Sequence, residues 1–153
     1  MASSTKAEPQ DCNCFALRRA ARHVSQFYDQ MLAPIGLRTT QFSVLAKLKR
    51  LGPMTMNELA RELVMDRTTL GRNMLPLERD GLVRIARGET DRRKKELHLT
   101  EAGAQRLRAA YKRWVQAQER FEATFGSGRA SDLRQLLGAV VTSEFKASAA
   151  RAG

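Results

Sequence analysis

Apolar positions along this chain follow two rhythms, and the change between them marks its organisation. From Asp11 to Ala33, the residues Leu17, Ala20, Ala21, Val24, Phe27, Tyr28, Met31 and Leu32 recur at three- and four-residue steps. That spacing lays one apolar stripe along a helix, which Pro34 and Gly36 end. A second helix is predicted from Thr39 or Thr40 to Leu51, with Phe42, Leu45 and Leu48 inward and Gly52-Pro53 as its stop. Thr55 and Glu58 make a capping-box pair that opens a short helix to about Leu63. Val64-Met65 then form a brief turn, and Asp66 offers an N-cap for a helix from Arg67 to Asp80. Leu59, Leu63, Leu70, Met74 and Leu77 would join these two helices to the one before them. Pro76 removes a bond to the Arg72 carbonyl and is expected to bend the helix well beyond its first turns. Gly81 suits a left-handed exit.

The stretch from Leu82 to Thr100 reads as two short strands around a loop. Thr100 then caps a long helix in which Leu107, Tyr111, Trp114, Gln118, Phe121 and Phe125 alternate by four and three, a seam for another helix. Gly126-Ser127-Gly128 is expected to break it, and Ser131 to open a last helix with Leu133, Leu136, Leu137, Val140, Val141 and Phe145 on one side. The tail from Lys146 is expected to fray.

Two helices joined by a tight turn and followed by a hairpin predict a mainly α fold, a winged helix-turn-helix at 37–99. The terminal helices, 11–36 and 100–149, carry more apolar surface than that lobe needs and are read as a helical dimerisation region. Residues 1–10 are read as a disordered N-terminus. In a two-fold homodimer, paired recognition helices would enter major grooves about 34 Å apart and read a pseudo-palindromic operator.

Charge sharpens this picture. The 153 residues carry a formal net charge of +11, which favours a polyanionic partner. Between Arg84 and Lys95 stand six basic residues against two acids, Glu89 and Asp91. A thin hairpin cannot bury that tip, but it can lie along a phosphate backbone. No apolar run approaches the roughly 20 residues that span a bilayer, and residues 1–10 lack the apolar stretch of a signal peptide. A cytoplasmic protein without membrane partners is therefore expected. Cys12, Cys14, His23 and His98 are too scattered for a metal site, and no cofactor is expected. A phosphate loop, a nucleophile elbow and paired-histidine metal spacing are all missing, which argues against an enzyme.

On the recognition helix, Arg67, Thr68, Thr69, Arg72 and Asn73 occupy the early polar turns. Arginine can take guanine O6 and N7 in a bidentate pair, asparagine can pair with adenine, and threonine serves a base edge or a phosphate. In the wing, Arg87, Arg92, Arg93 and Lys94 are candidates for phosphates or the minor groove, with Asp91 placed to hold Arg93. Their alternative is a solvated charged surface with a loop-stiffening ion pair.

At this point the residues resemble the MarR family of bacterial transcriptional regulators. The resemblance rests on Asp91-x-Arg93 followed by Leu99-Thr100-x-x-Gly103, and on Leu77-Glu78-Arg79-Asp80-Gly81-Leu82-Val83. It implies a triangular homodimer held by terminal helices. It also implies repression by promoter occupancy, relieved by a small molecule or an oxidant. Cys14, near the start of the first helix, resembles the sensing cysteine of the organic-hydroperoxide branch. That branch carries tyrosines in its second helix, where this chain has Thr39 and Phe42, so the reading preferred for Cys14 is a buried structural cysteine. For an aromatic acid or phenol as effector, the residues to watch are Arg19, His23, Phe42 and Trp114. On periodicity alone Phe42 and Trp114 are core, and His23 is a surface residue.

Overall fold

The structure, a computed structural model, describes residues 8–147. In chain order the elements are α1 (Asn13–Leu32), α2 (Thr39–Leu51), β1 (Met54–Thr55), α3 (Met56–Glu62), α4 (Arg67–Arg79), β2 (Val83–Arg87), β3 (Lys95–Leu99), α5 (Glu101–Phe125) and α6 (Ser127–Thr142). Chain contacts define two compact units, one up to Ala117 and one from Gln118. The disorder expected for 1–10 falls outside the described residues up to position 7, and Pro9–Asp11 form a 3-10 turn. The end of the expected frayed tail, from position 148, is likewise outside the described residues.

The first unit is built on one apolar cluster. Leu32, Val44, Leu45, Leu59, Leu70 and Met74 are fully buried, and Leu37, Phe42, Leu48, Leu77, Leu82, Val83 and Leu97 belong to the same cluster. These residues come from α1, α2, α3, α4 and the hairpin, so helix-turn-helix and strands share a single interior. Leu59, Leu70, Met74 and Leu77 do what their spacing predicts, while Leu63 packs against the cluster from its edge. The helix α4 runs continuously through Pro76. Gly36, at φ 73°, ends the 3-10 turn Ala33–Ile35 that links α1 to α2. Arg106 of α5 donates from Nη1 to the Ile35 carbonyl at 3.2 Å and ties that link to the long helix.

The sheet has three antiparallel strands in the order β1-β3-β2. Val83 pairs with Leu99, Ile85 with Leu97 and Arg87 with Lys95. The two-residue β1, which the sequence pattern did not predict, pairs Met54 with Leu97 and Thr55 with Glu96.

In the second unit α6 begins at Ser127, not Ser131. Gly126 alone makes the break: at φ 101° it is the N-cap, and Ser127 and Gly128 are already helical. Arg134 donates to Glu122 at 3.2 Å, and the Arg129 guanidinium lies 4.3 Å from the centre of the Phe125 ring. Leu136, Leu137, Val140, Val141 and Phe145 are exposed. So are Phe15 and Leu17 of α1 in the first unit.

Candidate nucleic-acid interface

The helix-turn-helix is set by two side-chain caps. Thr55 Oγ1 accepts from the Glu58 amide at 3.2 Å, and Glu58 Oε2 accepts from the Thr55 amide at 2.8 Å. The Thr55 backbone N–H, with its hydroxyl, holds the Glu58 carboxyl below the usual glutamate range. At the next cap, Asp66 accepts from the Thr69 amide at 2.9 Å and from the Thr69 hydroxyl at 2.6 Å. That hydroxyl, then the amide, keeps the Asp66 carboxyl below the usual aspartate range.

The helix α4 therefore has two sides with different tasks. Leu70, Met74 and Leu77 are buried. Arg67, Thr68, Thr69 and Arg72 are exposed, and Asn73 is half-buried with its Nδ2 donating to the Thr69 carbonyl at 2.9 Å. Thr69 thus gives its proton to the cap, and Asn73 gives one of its own to the helix backbone. Both keep an acceptor oxygen for other partners.

Beside α4 the hairpin β2–β3 carries the basic loop 88–94. Its neck closes with the Gly88 amide donating to the Lys94 carbonyl at 2.8 Å. A Cβ at Gly88 would come within 2.7 Å of the Asp91 carbonyl oxygen, so the tight return of the chain requires glycine. Asp91 Oδ1 accepts from the Arg93 amide at 3.0 Å and from Arg93 Nε at 3.3 Å. Asp91 therefore aligns Arg93 without hiding it; the Arg93 side chain remains 91% exposed. Arg84, Arg87, Arg92, Lys94 and Lys95 are exposed as well.

The motif after the hairpin has a mechanical explanation. The Thr100 hydroxyl donates to the Gly81 carbonyl at 2.6 Å and accepts from the Gly103 amide at 3.0 Å. The Thr100 amide donates to Leu82 at 3.1 Å. A Cβ at Gly103 would overlap the Leu82 carbonyl oxygen, so only glycine lets α5 start this close to the exit of α4. Glu101, bonded by Arg108 at 3.1 Å, has its carboxyl held low chiefly by that guanidinium.

The residues considered for an effector have two kinds of surroundings. Phe42 and Trp114 stack at 5.9 Å, and Tyr111 stacks on Trp114 at 5.5 Å. Phe42 is buried and Trp114 is packed against the core cluster. Arg19 and His23 instead line an open groove along α1 with Phe15, Arg22 and Gln26, of about 780 Å³. The reading of Cys14 as a buried structural cysteine is corrected: Cys14 and Cys12 are free and exposed. The α1 stripe contributes only Leu32 to the buried interior, so periodicity overstated burial at its start. Cys12 forms the N-cap of α1, with the Phe15 amide donating to Sγ at 3.4 Å. Among the described residues no cluster of three or more metal-ligating side chains occurs, and no helix is long and apolar enough to cross a membrane.

An exposed polar helix start beside a basic antiparallel hairpin, both built on one core, defines a winged helix-turn-helix DNA-binding protein. Residues 37–95 match the MarR family. The chain is 30% identical over 109 residues to the uncharacterised HTH-type transcriptional regulator YwoH of Bacillus subtilis, which covers 71% of this chain and 79% of YwoH. Among solved structures it resembles the Mycobacterium tuberculosis regulator MosR in complex with DNA, at 40% identity and TM-score 0.71, over 84% of this chain and 96% of that one. It also resembles the repressor CouR of Rhodococcus jostii RHA1 bound to a 23-mer DNA duplex, at 28% identity and TM-score 0.76, over 86% and 93%. The chain belongs to the MarR family. It is a non-enzymatic transcriptional regulator that binds DNA.

Proposed function

We propose that the protein is a homodimeric repressor that occupies a pseudo-palindromic promoter site. Residues 37–99 form the reading lobe; 11–36 and 100–149 form the dimerisation region. Arg67, Thr68, Thr69, Arg72 and Asn73 face base edges, and Arg87, Arg92, Arg93 and Lys94 take phosphates or the minor groove. The observation that carries this is the division of α4, whose apolar side is buried while its charged first turns stand in solvent. The exposed apolar side chains of α6 and of the start of α1 support a second copy as their cover. The resemblance to a DNA-bound repressor supports the sign of regulation.

Two inputs have support. Exposed thiols at the start of α1 favour an oxidant. The Cys14 thiolate attacks a peroxide oxygen, the O–O bond breaks, the alcohol leaves with a proton, and a sulfenic acid remains. A cysteine of the other subunit then displaces water and closes a disulfide. The second input is a small aromatic acid, favoured by the α1 groove where Arg19 and His23 stand beside Phe15.

The test is titration of a duplex from the promoter of the protein's own gene, at several salt concentrations, with and without organic hydroperoxide. Specific, salt-sensitive binding that peroxide abolishes in the wild type and spares in Cys14→Ser is expected. Absence of duplex binding at low salt rejects the reading, and peroxide-insensitive binding transfers the input to the ligand.

A further inference from the structure

The turn between α3 and α4 carries a residue in an unsuitable conformation. Val64, at φ 49°, is left-handed, and no other described non-glycine residue has a positive φ. Its amide donates to the Arg61 carbonyl at 3.2 Å, and the Met65 amide to Ala60 at 2.9 Å. These two bonds make the Schellman end of a helix, whose left-handed position ordinarily holds glycine. A β-branched side chain there strains against its own backbone. Burial does not compensate, because Val64 is 73% exposed.

An exposed, strained, apolar side chain two residues ahead of the Asp66 cap lies next to the exposed first turns of α4. Strain held at such a position is characteristic of a functional contact. We infer that Val64 is a DNA-contact residue, packing its methyl groups on apolar C–H surface of the duplex at the edge of the groove. That surface is a thymine C5 methyl or a deoxyribose. The inference rests on the DNA-reading surface proposed above and adds an apolar contact to its polar ones.

Three variants test it: Val64→Gly, Val64→Asn and Val64→Ala, each measured for Tm and for affinity to the footprinted segment of the gene's own promoter. Glycine relieves the strain, so Tm should rise by about 2–4 °C. Affinity should nonetheless fall, by about fivefold or more. Asparagine, which tolerates the left-handed region, should also weaken binding, which separates lost apolar contact from a loosened turn. A thymine-to-uracil scan assigns the partner. Loss at one thymine in the wild type, and none there in Val64→Ala, identifies the methyl; no loss at any thymine identifies deoxyribose. Wild-type affinity in both Val64→Gly and Val64→Asn overturns the inference. If Arg72→Ala still weakens binding in that case, the DNA surface itself stands; if the wild type binds no duplex, both fall.

Discussion

The Thr100 hydroxyl donates to the Gly81 carbonyl at 2.6 Å, across 19 positions of sequence. One side chain thereby closes the exit of α4, and through the Gly103 amide it also opens α5. The hairpin lies between these two points in the chain, so the base of the hairpin is held at both sides by Thr100.

Removing that bridge should weaken the whole lobe. Thr100→Val keeps the shape and loses both hydroxyl bonds, for an expected loss of about 0.5–2 kcal/mol. Gly103→Ala introduces a methyl group where a carbonyl already stands, and about 1–3 kcal/mol should be lost. Urea denaturation followed by circular dichroism measures both.

Acid should uncap α4. Since the Asp66 carboxyl is lowered from its ordinary value of 3.8, chiefly by the Thr69 hydroxyl, the cap favours the charged form. Its contribution is complete above that ordinary value and disappears as pH falls through the lower folded value. Asp66→Asn keeps an acceptor without a charge, so its stability should fall less steeply at acid pH than the wild type's. Thermal melts across the acid range decide this, and identical slopes would remove Asp66 from the account.

The two kinds of basic residue should behave differently on DNA. Arg93→Ala should weaken all duplexes alike and reduce the salt slope by about 1. Arg72→Ala should in addition relax sequence preference, losing about 1–3 kcal/mol of discrimination at one base pair. Asp91→Ala, which leaves the charge of Arg93 in place but frees its orientation, should fall between the wild type and Arg93→Ala. Fluorescence anisotropy with specific and scrambled duplexes separates the three.

The apolar side chains of α6 give a fourth prediction. Val141→Asp places a charge among Leu137, Val140 and Phe145, all exposed in the single chain. Sedimentation should show the wild type as a dimer and the variant shifted to monomer, with loss of affinity for a two-half-site duplex. A monomeric wild type would contradict the proposed dimer.

Much of this is legible in the sequence. Caps at Thr55, Asp66 and Thr100 are local chemistry and stand where residue type puts them. The same holds for the Asp91–Arg93 pair, whose partners are two residues apart. Features that depend on distant partners were not legible. The strand β1 is too short to have a rhythm and exists only through pairing with β3. Exposure of Cys14 was not legible, because the missing tyrosines at Thr39 and Phe42 say nothing about what covers the thiol. The stacking of Phe42 on Trp114, and the groove that Arg19 and His23 line, are tertiary facts that no spacing encodes. For Val64, residue type argued against the conformation it adopts.

The two-residue β1 has a mechanical effect beyond its size. It fastens the base of the basic finger to the residues that start α3, through Thr55 and Glu96. The finger therefore cannot swing on its own without tearing main-chain bonds. In the dimer proposed above, releasing the promoter would mean displacing the entire reading head, altering the span between the two heads rather than the aim of either.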